Sequence, residues 1–243
     1  MGIAQIARRI GEAALALLYP PHCAACGAET LAGVHVCVGC TAKARRIAAP
    51  FCRVCSQPFD GAITAEFTCQ NCAERKLHFD CAVAPYLSRG VVRDFIHRFK
   101  YDREFFLRHP LAEWAAEGLA DERLRAHPFD AFVPVPLHHA RFREREFNQA
   151  EELARLLCRR TGIPLLPTLA RIRYTTTQTR LVRQERMENL RNAFRVRQTS
   201  AVQNRHLVLV DDVFTTGSTV DECARVLHAA GAASVRVITV ARG

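Results

Sequence analysis

The first apolar positions of the chain, Ile3, Ile6, Ile10, Ala13, Ala14, Leu17 and Leu18, recur with the spacing of one helix face, and Pro20 and Pro21 stop the pattern. An amphipathic helix over residues 1–20, docked on the body, is expected. Arg8 and Arg9 ahead of the run from Ala13 to Tyr19 imitate a secretion signal, but Glu12 interrupts the apolar stretch and no A-x-A cleavage site follows. From residue 79 strand and helix patterns alternate. Phe79 to Leu87 reads as a strand, Gly90 to Tyr101 and Phe105 to Leu119 as helices, Phe129 to Val135 as a strand, and about Glu146 to Arg160 as a helix. Arg171 to Glu188 is polar and Arg-rich, and Ala193 to Val196 suits a short strand. Leu207 to Val210 is an aliphatic run of the kind buried on both faces of a sheet, followed by a helix from Val220 to Ala230, Gly231 as its stop, and a last strand over Ser234 to Ala241. This alternation predicts an α/β domain with a mostly parallel sheet flanked by helices.

Composition narrows the class. With 243 residues, 49% of them hydrophobic and 24% charged, the chain is an ordinary globular protein able to bury a core. No run reaches the roughly 18 apolar residues of a membrane span, so a cytoplasmic protein with no membrane span is expected. The formal charge is +10, and 31 of the 34 basic residues are arginine. Two four-thiolate zinc sites, each carrying about −2, would leave roughly +6, so charge alone does not indicate DNA binding.

Eight of the 11 cysteines form four C-x-x-C pairs: Cys23/Cys26, Cys37/Cys40, Cys52/Cys55 and Cys69/Cys72. Two intervening residues let one turn aim both sulfurs at a single ion, and the gaps between pairs suit short ribbon hairpins. Structural zinc, one or two ions in a double zinc ribbon over residues 21–76, is the reading. Disulfides need an oxidising compartment, and redox pairs need a βαβ context that this segment lacks. First pair with second and third with fourth is the simplest arrangement; interleaving is the alternative, and an iron–sulfur cluster is a further one. Arg45, Arg46, Arg53, Arg75 and Lys76 read as a solvated basic face, and Cys81, Cys158 and Cys223 as small buried residues.

The segment from His206 to Thr219 carries the chemistry. Asp211 and Asp212 close an aliphatic strand, and Val213, Thr215, Thr216, Gly217, Ser218 and Thr219 lead into a helix. Ligands of open α/β sheets bind beyond the carboxyl ends of strands. Amides at a helix start favour phosphate, Gly217 permits close approach, and the hydroxyls add donors. Paired carboxylates suit a sugar diol, directly or through Mg²⁺-bound water. Phosphate plus ribose describes a 5-phosphoribosyl group, and the segment resembles the phosphoribosyl-diphosphate (PRPP) signature of type I phosphoribosyltransferases. A nucleotide-triphosphatase would need a Gly-Lys pair, which the chain lacks.

Val133-Pro-Val-Pro-Leu-His138 forms a stiff loop after a strand, Arg145-Glu-Phe-Asn-Gln149 opens the next helix, and Gln178 to Arg186 could close over a ligand as a lid. These segments, Lys100-Tyr101, the four cysteine pairs and the PRPP turn together resemble the ComF family of competence-associated proteins over nearly the whole chain. The family's V-P-V-P-L-H motif matches Val133 to His138; its R-G-F-N-Q motif carries Glu146 in place of glycine, and its T-Q-T-G-L motif carries Arg180. The resemblance implies a double zinc ribbon before a type I phosphoribosyltransferase fold over residues 77–243.

Three functions follow from these observations. The first is Mg²⁺-dependent phosphoribosyl transfer, with Asp211 and Asp212 on the diol, one of them acting on the nucleophile, and Lys100, Arg145 and the loop at Pro136, Leu137 and His138 on the departing pyrophosphate. The second is PRPP sensing without catalysis. The third, implied by the family, is assistance to inward movement of single-stranded DNA with competence-machinery partners, through the ribbon or the Arg171–Arg197 stretch, where Tyr174 and Phe194 could stack bases.

Overall fold

The computed structural model describes residues 20–61, 63, 66–173 and 190–243. The expected N-terminal helix and the greater part of the polar stretch after Arg171, including Tyr174, Arg180 and the lid from Gln178, lie outside the described residues.

Parallel strands form the centre. β1 (Ala82–Val83) and β2 (Tyr86–Leu87) pair with one edge of β7 (Ser234–Arg242), β6 (His206–Phe214) pairs with its other edge, and β3 (Ala131–Pro134) lies outside β6. The expected single strand over Phe79 to Leu87 is split at Ala84-Pro85. Proline has no N–H to offer a ladder, and the Pro85 carbonyl instead accepts the Ile47 amide of the ribbon region at 2.8 Å. β4 (Leu169–Arg171) and β5 (Phe194–Val196) make a separate antiparallel pair.

Leu207, Val208, Leu209 and Val210 are fully buried, and their alternation divides the core in two. Val208 and Val210 pack with Phe132, Ile238 and Val240 against α3 (Gly90–Tyr101), α4 (Arg108–Glu117) and α7 (Gln149–Thr161) through Phe95, Phe99, Leu111 and Leu153. Leu207 and Leu209 face α8 (Ser218–Ala229) through Val220, Cys223 and Leu227, and this same cluster contains Cys52, Cys55 and Cys72. A parallel sheet must be covered on both faces; part of the second cover here is a cysteine site.

Two short helices, α1 (Val38–Ala42) and α2 (Gln70–Ala73), belong to the cysteine-rich region, and α5 (Glu122–Arg125) precedes β3. The segment expected as a loop from Pro136 to Arg141 turns into α6 (His139–Arg145). α6 buries none of its residues and so carries no apolar periodicity. Consequently Arg145 ends one helix rather than opening the next, and α7 begins at Gln149 behind Asn148, whose side chain caps it by accepting the Ala150 amide.

Candidate functional site

β6 continues past the two acids: Asp211 stands opposite Thr239, Val213 opposite Ala241 and Phe214 opposite Arg242. The Phe214 carbonyl accepts the Gly243 amide at 2.9 Å and the Arg242 guanidinium at 3.1 Å, which fixes the point where the chain leaves the sheet. The turn closes on Gly217 at φ +75°, and a Cβ there would come 2.5 Å from Phe214 Cζ, so both dihedral and space demand glycine. α8 then starts, and its first main-chain bond runs from the Asp221 N–H to the Gly217 carbonyl at 2.9 Å. The amides ahead of Asp221 have no intrahelical acceptor and present partial positive charge. Thr216 Oγ1 lies 3.0 Å from Ser218 Oγ. Asp211, Val213, Phe214 and residues 215–220 together enclose a cavity of about 40 Å³.

Lys100, at the end of α3, donates to Asp212 Oδ1 at 2.7 Å, and Asp212 is 7% exposed. Asp211 accepts the Asp212 amide at 2.9 Å. Burial foremost, then the neighbouring Asp212 charge, pushes the Asp211 carboxyl up to about 7, against the opposing pull of Lys100 and Arg171. Two adjacent carboxylates thus differ in character: one is neutralised by a lysine, the other poised near neutral pH.

Arg171 is a site residue that sequence reasoning placed only in a polar stretch. It ends β4 with its guanidinium 5.4 Å from the Phe194 ring centre, and its charge acts on Asp211, His138 and Cys223. Arg75, read from sequence as part of a solvated face, is the second: it donates to the Thr216 carbonyl at 3.0 Å. Neither partnership is written in local sequence.

The other expected residues divide. The loop after β3 leaves the sheet beside the acids, since Pro134 pairs with Val210 and the Val135 amide bonds the Val210 carbonyl. His138 is buried and accepts the Ala140 amide on Nδ1 at 3.2 Å; burial first, then His139 and Arg171, lower its pKa and keep it neutral for that task. Pro136 and Leu137 line a separate cavity of about 190 Å³ with Phe142, Asn148 and Arg197. Arg145 donates to Gln149 Oε1 at 3.1 Å and sits 5.0 Å from the Tyr101 ring centre, next in the chain to Lys100.

The eight cysteines collect as two sites, Cys23/Cys26/Cys37/Cys40 and Cys52/Cys55/Cys69/Cys72, each with sulfurs within 4.8 Å of one another. Cys26 and Cys37 sulfurs are 3.8 Å apart and those of Cys55 and Cys69 3.6 Å. Tetrahedral zinc with Zn–S bonds of about 2.3 Å sets sulfurs about 3.8 Å apart, so the residues fit the ion. The backbone repeats between the ribbons. Gly27 and Ser56 follow the first pair of each at positive φ, their amides bonding the Cys23 and Cys52 carbonyls at 2.9 Å. The Cys37 and Cys69 amides each donate to a sulfur, Cys23 and Cys52, at 3.3 Å, stabilising thiolate charge. The arrangement is sequential, not interleaved. Ser56 is fully buried, donates to the Ala82 carbonyl at 2.9 Å and accepts from Arg123 at 3.0 Å, joining the second ribbon to β1 and α5. The first ribbon is held by Arg98 of α3, which donates to the Ala24 carbonyl at 2.7 Å. No described helix is long and apolar enough to cross a membrane.

Two family models match the two parts of this anatomy. The model of the double zinc ribbon domain matches residues 14–74, and that of the phosphoribosyl transferase domain matches residues 147–243. The chain is similar to competence protein F of Haemophilus influenzae, 32% identical over 212 residues, covering 85% of this chain and 90% of that protein. It is also similar to the DNA utilization protein YhgH of Escherichia coli, 33% identical over 214 residues with the same coverage, and to competence protein ComFC of Streptococcus pneumoniae, 26% identical over 79% of this chain and 87% of that one. Among solved structures, the glutamine PRPP amidotransferase from B. subtilis complexed with ADP and GMP aligns at 23% identity and a TM-score of 0.36, over 54% of this chain and 25% of that one.

Proposed function

From the premise that this chain belongs to the ComF family, we propose that it binds PRPP at the turn between β6 and α8. The amides of residues 216–219 take the 5′-phosphate, and Asp211 and Asp212 take the ribose diol. Lys100, Arg145 and Arg171 take the diphosphate, while Pro136 and Leu137 line a separate cavity and His138 braces the loop that leaves the sheet beside the acids. Mg²⁺ arriving with the ligand supplies charge neutralisation for the diphosphate. The observation that carries the reading is the left-handed, sterically confined Gly217 between the acid pair and the start of α8, where within the turn itself Thr216 Oγ1 accepts the Ser218 amide at 3.4 Å.

When ligand enters, the Lys100 ammonium has two anionic claimants, Asp212 and the diphosphate, and can stabilise charge on the departing group while Asp212 turns to the diol. If transfer occurs, the bond from ribose C1 to the diphosphate oxygen breaks, an acceptor nucleophile bonds C1, and pyrophosphate leaves with the bonding pair. Asp211, near neutral in affinity, can take the acceptor's proton.

Titration calorimetry of PRPP with Mg²⁺ into the zinc-loaded protein tests the proposal. Saturable binding, lost when Asp211→Asn and Asp212→Asn are combined, is expected; absence of binding by the wild type contradicts it. Pyrophosphate release across a panel of bases separates transfer from binding alone. The names of the relatives point the biological role to handling DNA in competence, which we propose for this chain as well; single-stranded DNA affinity that falls steeply with salt and survives loss of both aspartates is the expected sign.

A further inference from the structure

Arg75 ties the second cysteine site to the phosphate turn. Its amide donates to the Cys72 carbonyl at 3.4 Å, directly after α2, so its backbone is fixed to a metal-ligand segment. Its guanidinium reaches the other way: Nη1 donates to the Thr216 carbonyl at 3.0 Å, and Nη2 lies 3.6 Å from Asp221 Oδ2, with 12% and 11% of those two side chains exposed. Asp221 occupies the first turn of α8, and its other oxygen accepts the His78 amide at 2.7 Å. Beneath these contacts, Cys52, Cys55 and Cys72 share one apolar cluster with Phe214, Val220 and Cys223.

The direction of one peptide gives this bridge its consequence. In a trans peptide the C=O and the following N–H point opposite ways. Holding the Thr216 carbonyl toward the ribbon therefore aims the Gly217 amide away from it, on the side of the turn where an anion would be gripped.

We propose that Arg75 is a positioning residue through which zinc in the second site and a phosphoribosyl ligand at the turn stabilise one another. The inference rests on the reading of the turn as a phosphate site. Coupling of this kind is reciprocal: if the loaded site improves ligand affinity, ligand improves zinc retention by the same factor. The first ribbon serves as a comparison, since among the described residues it bonds α3 through Arg98 and makes no bond to the turn itself, and Arg75 does not touch it.

The test measures zinc loss to a chromogenic chelator, with and without saturating PRPP and Mg²⁺, alongside calorimetric PRPP affinity, in the wild type, Arg75→Gln and Arg75→Lys. PRPP should slow loss of one of the two zinc ions about tenfold in the wild type and leave the other unchanged. In Arg75→Gln that protection should vanish and the Kd for PRPP rise about tenfold, with Arg75→Lys recovering part of both. A wild type that binds PRPP while both ions leave at ligand-independent rates would overturn the inference and leave the turn's assignment standing. A wild type that binds no PRPP would overturn both. The wild-type comparison needs no variant, so a misfolded Arg75→Gln protein does not blunt the test.

Discussion

Lys100 and Asp212 lie 112 positions apart in the chain, yet their side chains meet at 2.7 Å with only 19% and 10% of their surfaces exposed. The contact joins the end of α3 to the acid pair of β6 and places a cation beside Asp212, the acid proposed above to hold the ribose. Removing one member of a largely buried pair strands the other's charge, so Lys100→Met should cost about 3 kcal/mol in urea unfolding. Combining it with Asp212→Asn should cost less than the two single changes added together, a coupling of at least about 1 kcal/mol. Strict additivity would contradict the pair.

Asp211 gives stability an unusual slope with pH. Its folded pKa, about 7, stands above the ordinary carboxylate value near 4. Between these values the folded state holds the proton and the unfolded state has lost it, so stability falls as pH rises through this window. Unfolding free energies from pH 4.5 to 7.5 should show this decline, and Asp211→Asn should flatten it. An unchanged slope in the variant would assign the decline elsewhere.

Gly217→Ala places a methyl where only 2.5 Å separates it from Phe214 Cζ and imposes φ +75° on an L-residue. The expected cost is about 1–3 kcal/mol, with PRPP affinity lost by more than the stability change accounts for. Retained affinity in calorimetry would show that the turn can deform without consequence.

Glu146, where the family carries glycine, sits at φ +69° as the left-handed cap of α6, and its exposed pair with Arg103 at 3.0 Å offsets little of that strain. Glu146→Gly should therefore stabilise the protein by up to about 1 kcal/mol, read as a rise in Tm. A fall in Tm would mean that the Arg103 contact outweighs the backbone term.

The parts legible in sequence are those with local signatures. The cysteine pairs declare themselves because four thiolates must reach one ion, and α3 because Val92, Phe95, Ile96 and Phe99 repeat along one face. The strand, turn and helix start from Leu207 to Thr219, proposed above as a PRPP site, are legible as a unit because their glycine, hydroxyls and acids lie within a dozen residues. What escaped is nonlocal or lacks an apolar face. α6 has no buried residue to mark it, and the edge strand is broken by Pro85. The bonds from Lys100 to Asp212 and from Arg75 to Thr216 exist only once the sheet has brought distant segments together. The carboxylate titration of Asp211 likewise depends on the surroundings the fold gives it, desolvation and the charge of Asp212, which no motif encodes.

The central claim is that the turn after β6 grips a 5′-phosphate while the adjacent acids hold the sugar, and a crystal structure of the zinc-loaded protein with PRPP and Mg²⁺ tests it most directly. The predicted result is a phosphate within about 3 Å of the amides of Gly217, Ser218 and Thr219, with the ribose hydroxyls on Asp211 and Asp212. Ligand density elsewhere on the molecule, with that turn empty and Asp212 still bound to Lys100, would contradict it.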